Sequence, residues 1–341
     1  METVRFGKTE LSVSRSSFGA IPIQRIPDAD AVKILERAYE GGINLFDTAR
    51  VYTDSEHKIG LAFEGKRKEI IICSKTHSFT REGILEDIEK TLKELKTDYV
   101  DVYQLHNPRT VYGPGDEAYD TIAELKAQGV VRHIGLTNHD LNRAIGAVKS
   151  GHYATVQYAI SPLSSPKEFA LSDLCKEHDV GLLAMKALAG GMITNAVTSF
   201  VTLREYGNIV PIWGIERLPE LEEILSFERD LPEKTEEIEA MIERDRAELC
   251  GDFCRGCGYC LPCTAEIPIN MAGKMSKIVS CMRKEDYLTP EWAEKMSRIK
   301  NCTHCYLCKE RCPYGLDTPA LLASELEKYE AAYSAFHSQP R

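Results

Sequence analysis

Between residues 40 and 215 short apolar runs recur, starting near residues 43, 70, 99, 132, 155, 182 and 209, with amphipathic segments between them. The runs read INLFD, IIICSK, YVDVYQLH, HIGLTN, TVQYAI, GLLAMK and IVPIWG, and their spacing of 23 to 33 residues suits strand–helix units. They are nearly continuous in hydrophobicity and do not alternate, as parallel strands covered on both faces should read. An eighth run, SRSSFGA near residue 15, carries the pattern weakly. Between the runs, Ile84, Ile88, Leu92 and Leu95 place one apolar stripe on a helix with Glu and Lys opposite. The helix after Asp28 is predicted to stop at Gly41-Gly42. Eight strands alternating with helices predict an α/β protein built as a (β/α)8 TIM barrel, although a doubly wound sheet shares most of the pattern.

After Gly214 the texture changes to FERDLPEKTEEIEAMIERDRAEL, in which Ile238, Met241, Ile242 and Leu249 keep helical spacing among charges. This reads as a solvated connecting helix over 229–249, its first half also compatible with a last barrel helix. Cysteine usage changes at the same place. Of twelve cysteines only Cys73 and Cys175 precede residue 250, and ten lie between Cys250 and Cys312. The N-terminus has scattered charges and no apolar stretch with a cleavage site, so the protein is expected in the cytoplasm, where disulfides do not persist and clustered cysteines imply metal chemistry. At 341 residues the chain has room for the barrel (1–228), the connecting helix (229–249) and a small cysteine-rich domain with a C-terminal tail (250–341) that frays after Tyr333. A net charge of −10 with no Lys or Arg run argues against nucleic acid, and no stretch is long and apolar enough to predict a membrane span.

In barrels of this kind the active site lies at the C-terminal ends of the strands, so polar residues that end an apolar run are the candidates. Asp47 ends INLFD, Lys75 ends IIICSK, His106 ends YVDVYQLH, and Tyr52 follows Asp47 in the loop above its strand. Singly these could be a helix cap, a solvated charge and a structural histidine. Together they form an acid–base set for a carbonyl. A phenol with a pKa near 10 exchanges protons poorly at neutral pH unless an ammonium stabilises its ionised form, which is the part expected of Lys75. Asp47 would hold Lys75, and His106 would orient the substrate oxygen.

The motifs FDTARVYTDSEHKIG, ICSKT, VYQLHNP and IGLTNH resemble those of the aldo-keto reductases over roughly residues 3 to 226. The resemblance implies that Asp47, Tyr52, Lys75 and His106 are the family's catalytic tetrad, with Tyr52 as general acid in NAD(P)H-dependent reduction of a small carbonyl compound or oxidation of an alcohol. It implies that Thr137, Asn138 and Gln157 hold the nicotinamide carboxamide. Met185 stands where relatives carry an aromatic residue that stacks on the nicotinamide, and Lys186 after it could reach the pyrophosphate. The segment WGIERLPELEEIL, containing Gly214 and Arg217, is similar to the family's adenosine-phosphate loop. Glu216 and Glu220 in it would repel a 2′-phosphate and accept from a 2′-hydroxyl, which favours NADH, while Arg217 keeps NADPH open. Arg109, in the polar rim segment 107–116, is a candidate for an anionic substrate group.

Cys302, Cys305, Cys308 and Cys312, followed by Pro313, have the bacterial ferredoxin spacing C-x2-C-x2-C-x3-C-P. Cys254, Cys257, Cys260 and Cys263 repeat it one residue shorter, with Thr264 after the last cysteine in place of proline. Gly256, Gly258 and Pro262 supply the tight turns such ligands need. The runs resemble two-cluster ferredoxins, so the C-terminal part is expected to be a small ferredoxin-like α+β iron–sulfur domain with two [4Fe–4S] clusters. The resemblance implies crossed ligation, Cys254, Cys257, Cys260 and Cys312 on one cluster and Cys302, Cys305, Cys308 and Cys263 on the other. A pair of zinc knuckles is the alternative. Cys250 and Cys281 fit neither run and read as free thiols, Cys250 also as a substitute ligand. Hydride carries two electrons and a cubane cluster one, so either the clusters are structural or they serve electron transfer with a ferredoxin-like carrier. A barrel that is only a scaffold or redox-partner subunit for the iron–sulfur module is the competing reading.

Overall fold

The computed structural model describes residues 1–249, 254, 256, 258, 260–281, 284–312 and 314–338. Cys250, Cys257 and the side chain of Cys281 lie outside this description. The chain divides into two compact units, Met1–Ala189 with Asn195–Ala240, and Gly190–Thr194 with Met241–Arg341.

The first unit opens with an antiparallel hairpin, β1 (Thr3–Arg5) and β2 (Ser12–Ser14). Eight parallel strands then close into a barrel. They are β3 (Ser17–Gly19), β4 (Leu45–Asp47), β5 (Ile71–Thr76), β6 (Val100–His106), β7 (Val131–Thr137), β8 (Thr155–Ala159), β9 (Gly181–Met185) and β10 (Ile209–Gly214). Between them run α1 (Asp28–Glu40), α2 (Ser55–Ala62), α3 (Arg81–Glu94), α4 (Glu117–Ala127), α5 (Leu141–Ser150), α6 (Pro166–Glu177) and α7 (Ala196–Arg204), and α8 (Leu218–Arg229) follows β10. Helix α1 ends at a Gly41 cap, and Gly42 has the positive φ that the exit requires.

Strand residues alternate between two buried layers, which is why the runs look continuously apolar. Phe46, Ile72, Tyr103, Leu182 and Ala184 pack outward under the helices. Leu45, Cys73, Val102, Leu183, Val210 and Ile212 fill the lumen with Phe6 and Val13 of the hairpin segment. A period of two carries the lumen-facing set onward to Asp47, Lys75, His106, Thr137, Gln157 and Met185 at the C-terminal strand ends. Strand β3 is short, and its polar residues are satisfied internally: Ser17 Oγ donates to Pro211 O at 2.7 Å, and Ser16 Oγ donates to Glu228 and accepts from Trp213 Nε1.

The charged segment after Gly214 is not one helix over 229–249. It breaks at 230–235 between α8, which buries Leu221, Ile224 and Leu225, and α9 (Glu236–Leu249), which buries Ile242. Pro232 cannot continue a helix and disfavours helical geometry at Leu231 before it.

Gly60 in α2 leaves no room for a side chain, since a Cβ there would stand 2.1 Å from the Glu94 carbonyl oxygen. Gly60→Ala should therefore cost about 1–3 kcal/mol. Thermal unfolding should show Tm lowered by roughly 3–10 °C for a unit of this size.

The second unit is helical among its described residues. Helices α10 (Ile269–Ala272), α11 (Met275–Cys281), α12 (Lys284–Tyr287), α13 (Pro290–Ser297) and α14 (Leu307–Glu310) precede the long α15 (Thr318–His337). Its core is Ile267, Ile269, Met275, Ile278, Met296, Leu322, Leu326 and Tyr329. Buried Glu325 accepts from Ser276 N and Oγ, both at 2.7 Å, and so anchors α11 on α15. The expected fraying after Tyr333 does not occur before His337, because Phe336 packs against this core and the His337 ring nitrogen lies 2.9 Å from Leu288 O. Among the described residues no helix is long and apolar enough to cross a membrane.

Candidate functional site

The register of the barrel sets its polar strand ends side by side: Asp47 is level with Cys73, Lys75 with Gln104, His106 with Thr137, and Thr137 with Gln157. Lys75 Nζ donates to Asp47 Oδ1 and to Thr48 O, both at 2.6 Å, and the pair is buried. Asp47 Oδ2 also accepts from Gln157 Nε2 at 3.3 Å. Burial pushes the Asp47 carboxyl up against the pull of the Lys75 ammonium. Lys75 Nζ lies 5.4 Å from the Tyr52 ring centroid, and the Tyr52 and His106 rings meet edge to face at 6.0 Å. All four residues expected to act together are brought together.

The direction of the Tyr52 shift differs from the sequence expectation. Burial, with the Asp47 carboxylate adding to it, pushes the phenol above its ordinary value. Lys75 donates its ammonium N–H groups to Asp47 and to the Thr48 carbonyl. Tyr52 is therefore a protonated donor before any substrate arrives. His106 is held down to about 2 by burial first, then by Lys75, His77 and His139. It is a neutral imidazole, and its Nδ1 is buried without a hydrogen-bond partner.

Of the expected carboxamide contacts, Gln157 keeps a buried Oε1 without a partner. Thr137 Oγ1 lies 3.9 Å from Met185 Sδ, and Asn138 is engaged, donating to Pro108 O at 2.8 Å and accepting from Asp140 N at 2.9 Å. Lys186 sits half-buried at positive φ just past β9. Gly214 ends β10 level with Gly19. In the loop after it the two carboxylates are already matched by arginines. Glu216 accepts from Arg25 at 3.2 Å, and Glu220 accepts from Arg217 Nε at 2.8 Å and from the Glu216 and Arg217 amides.

Two histidines on the same rim were not among the candidates. The His77 ring lies 3.9 Å from that of His106, and His139 is held down to about 3 by burial and Lys186. His77 directly follows the run ending at Lys75-Thr76, and His139 follows Thr137-Asn138, so the strand-end rule extended by two residues finds both. Arg109 is exposed.

In the second unit a pocket is lined by Cys260, Cys263, Cys302, Cys305 and Cys308 together with Thr264 and Thr303. The last two cysteines of the first run, Cys260 and Cys263, thus share a pocket with three of the second. The Cys305 thiol is held below its usual value by the Leu307 backbone N–H and the hydroxyls of Thr303 and Thr264, while burial pushes Cys308 up. Donors aimed at sulfur around a cysteine-lined pocket fit a thiolate-ligated cluster. Cys254 is buried in a separate turn, where Gly256 N donates to its Sγ at 3.3 Å and Gly256 and Gly258 take positive φ. Cys312 follows α14, its N donating to Lys309 O at 3.2 Å. Among the described residues no three His, Cys, Asp or Glu side chains converge as a site for a single metal ion.

Residues 15–204, more than half of the chain, match the description Aldo/keto reductase family. The chain belongs to that family. Residues 253–317 match a 4Fe-4S dicluster domain, so this aldo/keto reductase carries a C-terminal iron–sulfur domain. It is 30% identical over 208 residues to an uncharacterized oxidoreductase of Bacillus subtilis, covering 57% of this chain and 67% of that one. It is 31% identical over 180 residues to a methylglyoxal reductase of Salmonella typhi, covering 49% of this chain and 65% of that one. The chain thus spans about two thirds of the length of these curated relatives, slightly less for the second. Its fold is that of the aldo-keto reductase AKR11C1 from Bacillus halodurans, with a TM-score of 0.64, 22% identity, and coverage of 72% of this chain and 96% of that one.

The depressed histidines of this aldo/keto reductase make a stability prediction. An unfolded chain protonates both near pH 6.5, whereas folded His106 and His139 wait until about 2 and about 3. The unfolded state then binds more protons between those limits, so stability falls as pH drops from about 6.5 toward 3, at up to ~1.4 kcal/mol per pH unit for each group. Denaturant midpoints measured across that range should decline less steeply in His139→Gln than in the parent.

Proposed function

We propose that this aldo/keto reductase reduces a small carbonyl compound, or runs the reverse alcohol oxidation, with NADH or NADPH and with Tyr52 as the proton donor. The observation that carries the reading is the buried Lys75–Asp47 pair, 2.6 Å apart, beside a half-buried protonated Tyr52 and a neutral His106. When bound, the nicotinamide supplies or takes up hydride at the carbonyl carbon. His106 can donate a hydrogen bond to the substrate oxygen without giving up a proton, and Tyr52 is left to deliver the proton that oxygen needs. Lys75, fixed by Asp47, keeps a positive charge beside the phenolate that remains.

Gln157 Oε1, an orphaned buried acceptor, suits a carboxamide N–H, and Thr137 and Asn138 adjoin it. Lys186 would meet the pyrophosphate, and Gly214, Glu216 and Arg217 the adenosine end. Because Glu216 and Arg25 pair, the loop offers a 2′-phosphate no unmatched cation there, which favours NADH. The Michaelis constant should be lower for NADH, and Glu216→Ala, freeing Arg25, should lower that for NADPH by up to about fivefold, as for one exposed charge pair.

The cysteine runs are proposed to hold two [4Fe–4S] clusters, Cys263, Cys302, Cys305 and Cys308 on one and Cys254, Cys257, Cys260 and Cys312 on the other. Bound clusters would exchange single electrons with a ferredoxin-like carrier. The enzyme reading is tested with methylglyoxal as the first carbonyl, since a relative is named for it. Lys75→Met should lose turnover while still binding the nicotinamide. A Lys75→Met protein with parental turnover would remove the tetrad from the chemistry.

A further inference from the structure

The loop that carries Tyr52 is held from below by a charged residue whose role goes beyond the tetrad. Glu56, at the start of α2, is only 1% exposed. One carboxylate oxygen is paired with Arg50 Nη1. The other accepts from Ser74 Oγ at 2.6 Å and from Thr91 Oγ1 at 2.9 Å. Ser74 immediately precedes Lys75 on β5. Arg50 in turn donates through Nη2 to Thr53 O at 3.3 Å and through its backbone N to Lys75 O at 3.0 Å. Arg50 and Glu56 therefore grip the turn on both sides of Tyr52 and tie it to the strand that presents Lys75. Further bonds close the turn, Tyr52 N to Ala49 O at 3.0 Å and Ser55 N to Tyr52 O at 2.8 Å.

We infer that Glu56 and Arg50 are positioning residues that set the separation of the Tyr52 phenol from the Lys75 ammonium and so govern proton delivery. The inference rests on the proposed role of Tyr52. A buried carboxylate with three partners is costly to desolvate, and a leucine at the same place would pack without that cost. What the ionic latch adds is a fixed geometry: its bonds run to the residues flanking Tyr52 and to the neighbour of Lys75. Displacement of a reacting group by about 1 Å can lower a rate by about 100-fold.

The experiment uses the full chain with Glu56→Gln, Ser74→Ala, Arg50→Lys, Arg50→Met and Tyr52→Phe. It reads kcat and KM for methylglyoxal, the pH profile of kcat, nicotinamide affinity and Tm. Glu56→Gln and Ser74→Ala should lower kcat by about 10- to 100-fold, move the limb of the pH profile assigned to Tyr52, and leave KM and nicotinamide affinity within about twofold. Arg50→Lys should restore most of the kcat lost in Arg50→Met. Parental kcat and pH profile in folded Glu56→Gln overturn the inference. If that variant does not fold, parental values in Ser74→Ala together with equal loss in the two Arg50 variants do so. Parental turnover in Tyr52→Phe removes the proposed role of Tyr52 and the inference with it, whereas a dead Tyr52→Phe beside parental latch variants removes the inference alone.

Discussion

Tyr52→Phe is expected to lower kcat for carbonyl reduction by about 10²–10⁴-fold, the usual worth of a positioned general acid, with little change in KM. The phenyl ring keeps the edge contact with His106 and the approach of Lys75 to its face, so binding survives while the only loss is the hydroxyl. The upward push on the phenol fits the reduction direction, in which a protonated donor is required at the start of each turnover. Steady-state rates with methylglyoxal and either nicotinamide test this. Turnover within threefold of the parent would place the proton donor elsewhere on the rim, where His77 and His139 are the remaining titratable neighbours of His106.

The second large effect concerns the cysteines. Crossed ligation predicts that Cys263→Ala with Cys302→Ala takes two ligands from the same cluster and spares the other, leaving about four irons per chain. Ligation run by run predicts that the same double variant damages both clusters and leaves few irons or none. The pocket that brings Cys263, with Cys260 beside it, to Cys302, Cys305 and Cys308 is the observation behind the crossed arrangement. Iron and sulfide analysis of the anaerobically purified variant separates the two, and Cys302→Ala with Cys312→Ala is the complementary pair, which should strip both clusters if ligation is crossed and only one if it goes run by run.

Much of this was legible in the sequence. Seven of the barrel strands follow from runs buried on both faces, because each lumen residue is followed by one facing the helices. The eighth, β3, hides its strand character behind Ser16 and Ser17, whose hydroxyls find partners only in distant Pro211, Trp213 and Glu228. The tetrad residues were visible because each ends, or closely follows, an apolar run. What was not visible depended on pairs far apart in the chain. Arg25 meets Glu216 across 191 positions, and no local pattern announces that the acidic loop after β10 already carries a matching arginine. Lys75 was expected to ease ionisation of Tyr52, yet whether an ammonium serves a phenol or a carboxylate is decided by distances of a few ångströms. Glu56 carries no local signal of its role, since its partners Ser74 on β5 and Thr91 on α3 lie 18 and 35 residues away. The end of α15 misled in the other direction, as polar Ser334 and His337 hide a helix held by Phe336.

An aldo/keto reductase barrel and an iron–sulfur domain share this chain, and one measurement tests directly whether nicotinamide and clusters exchange electrons. Anaerobically purified protein is analysed for iron, sulfide and zinc, and its absorbance spectrum is recorded before and after adding NADH or NADPH. The account predicts a brown protein with about eight irons and as many sulfides per chain, whose visible absorbance bleaches when the nicotinamide is added with a mediator able to split its electron pair. A colourless protein loaded with zinc, or one whose clusters stay oxidised with either nicotinamide and any mediator, would contradict it.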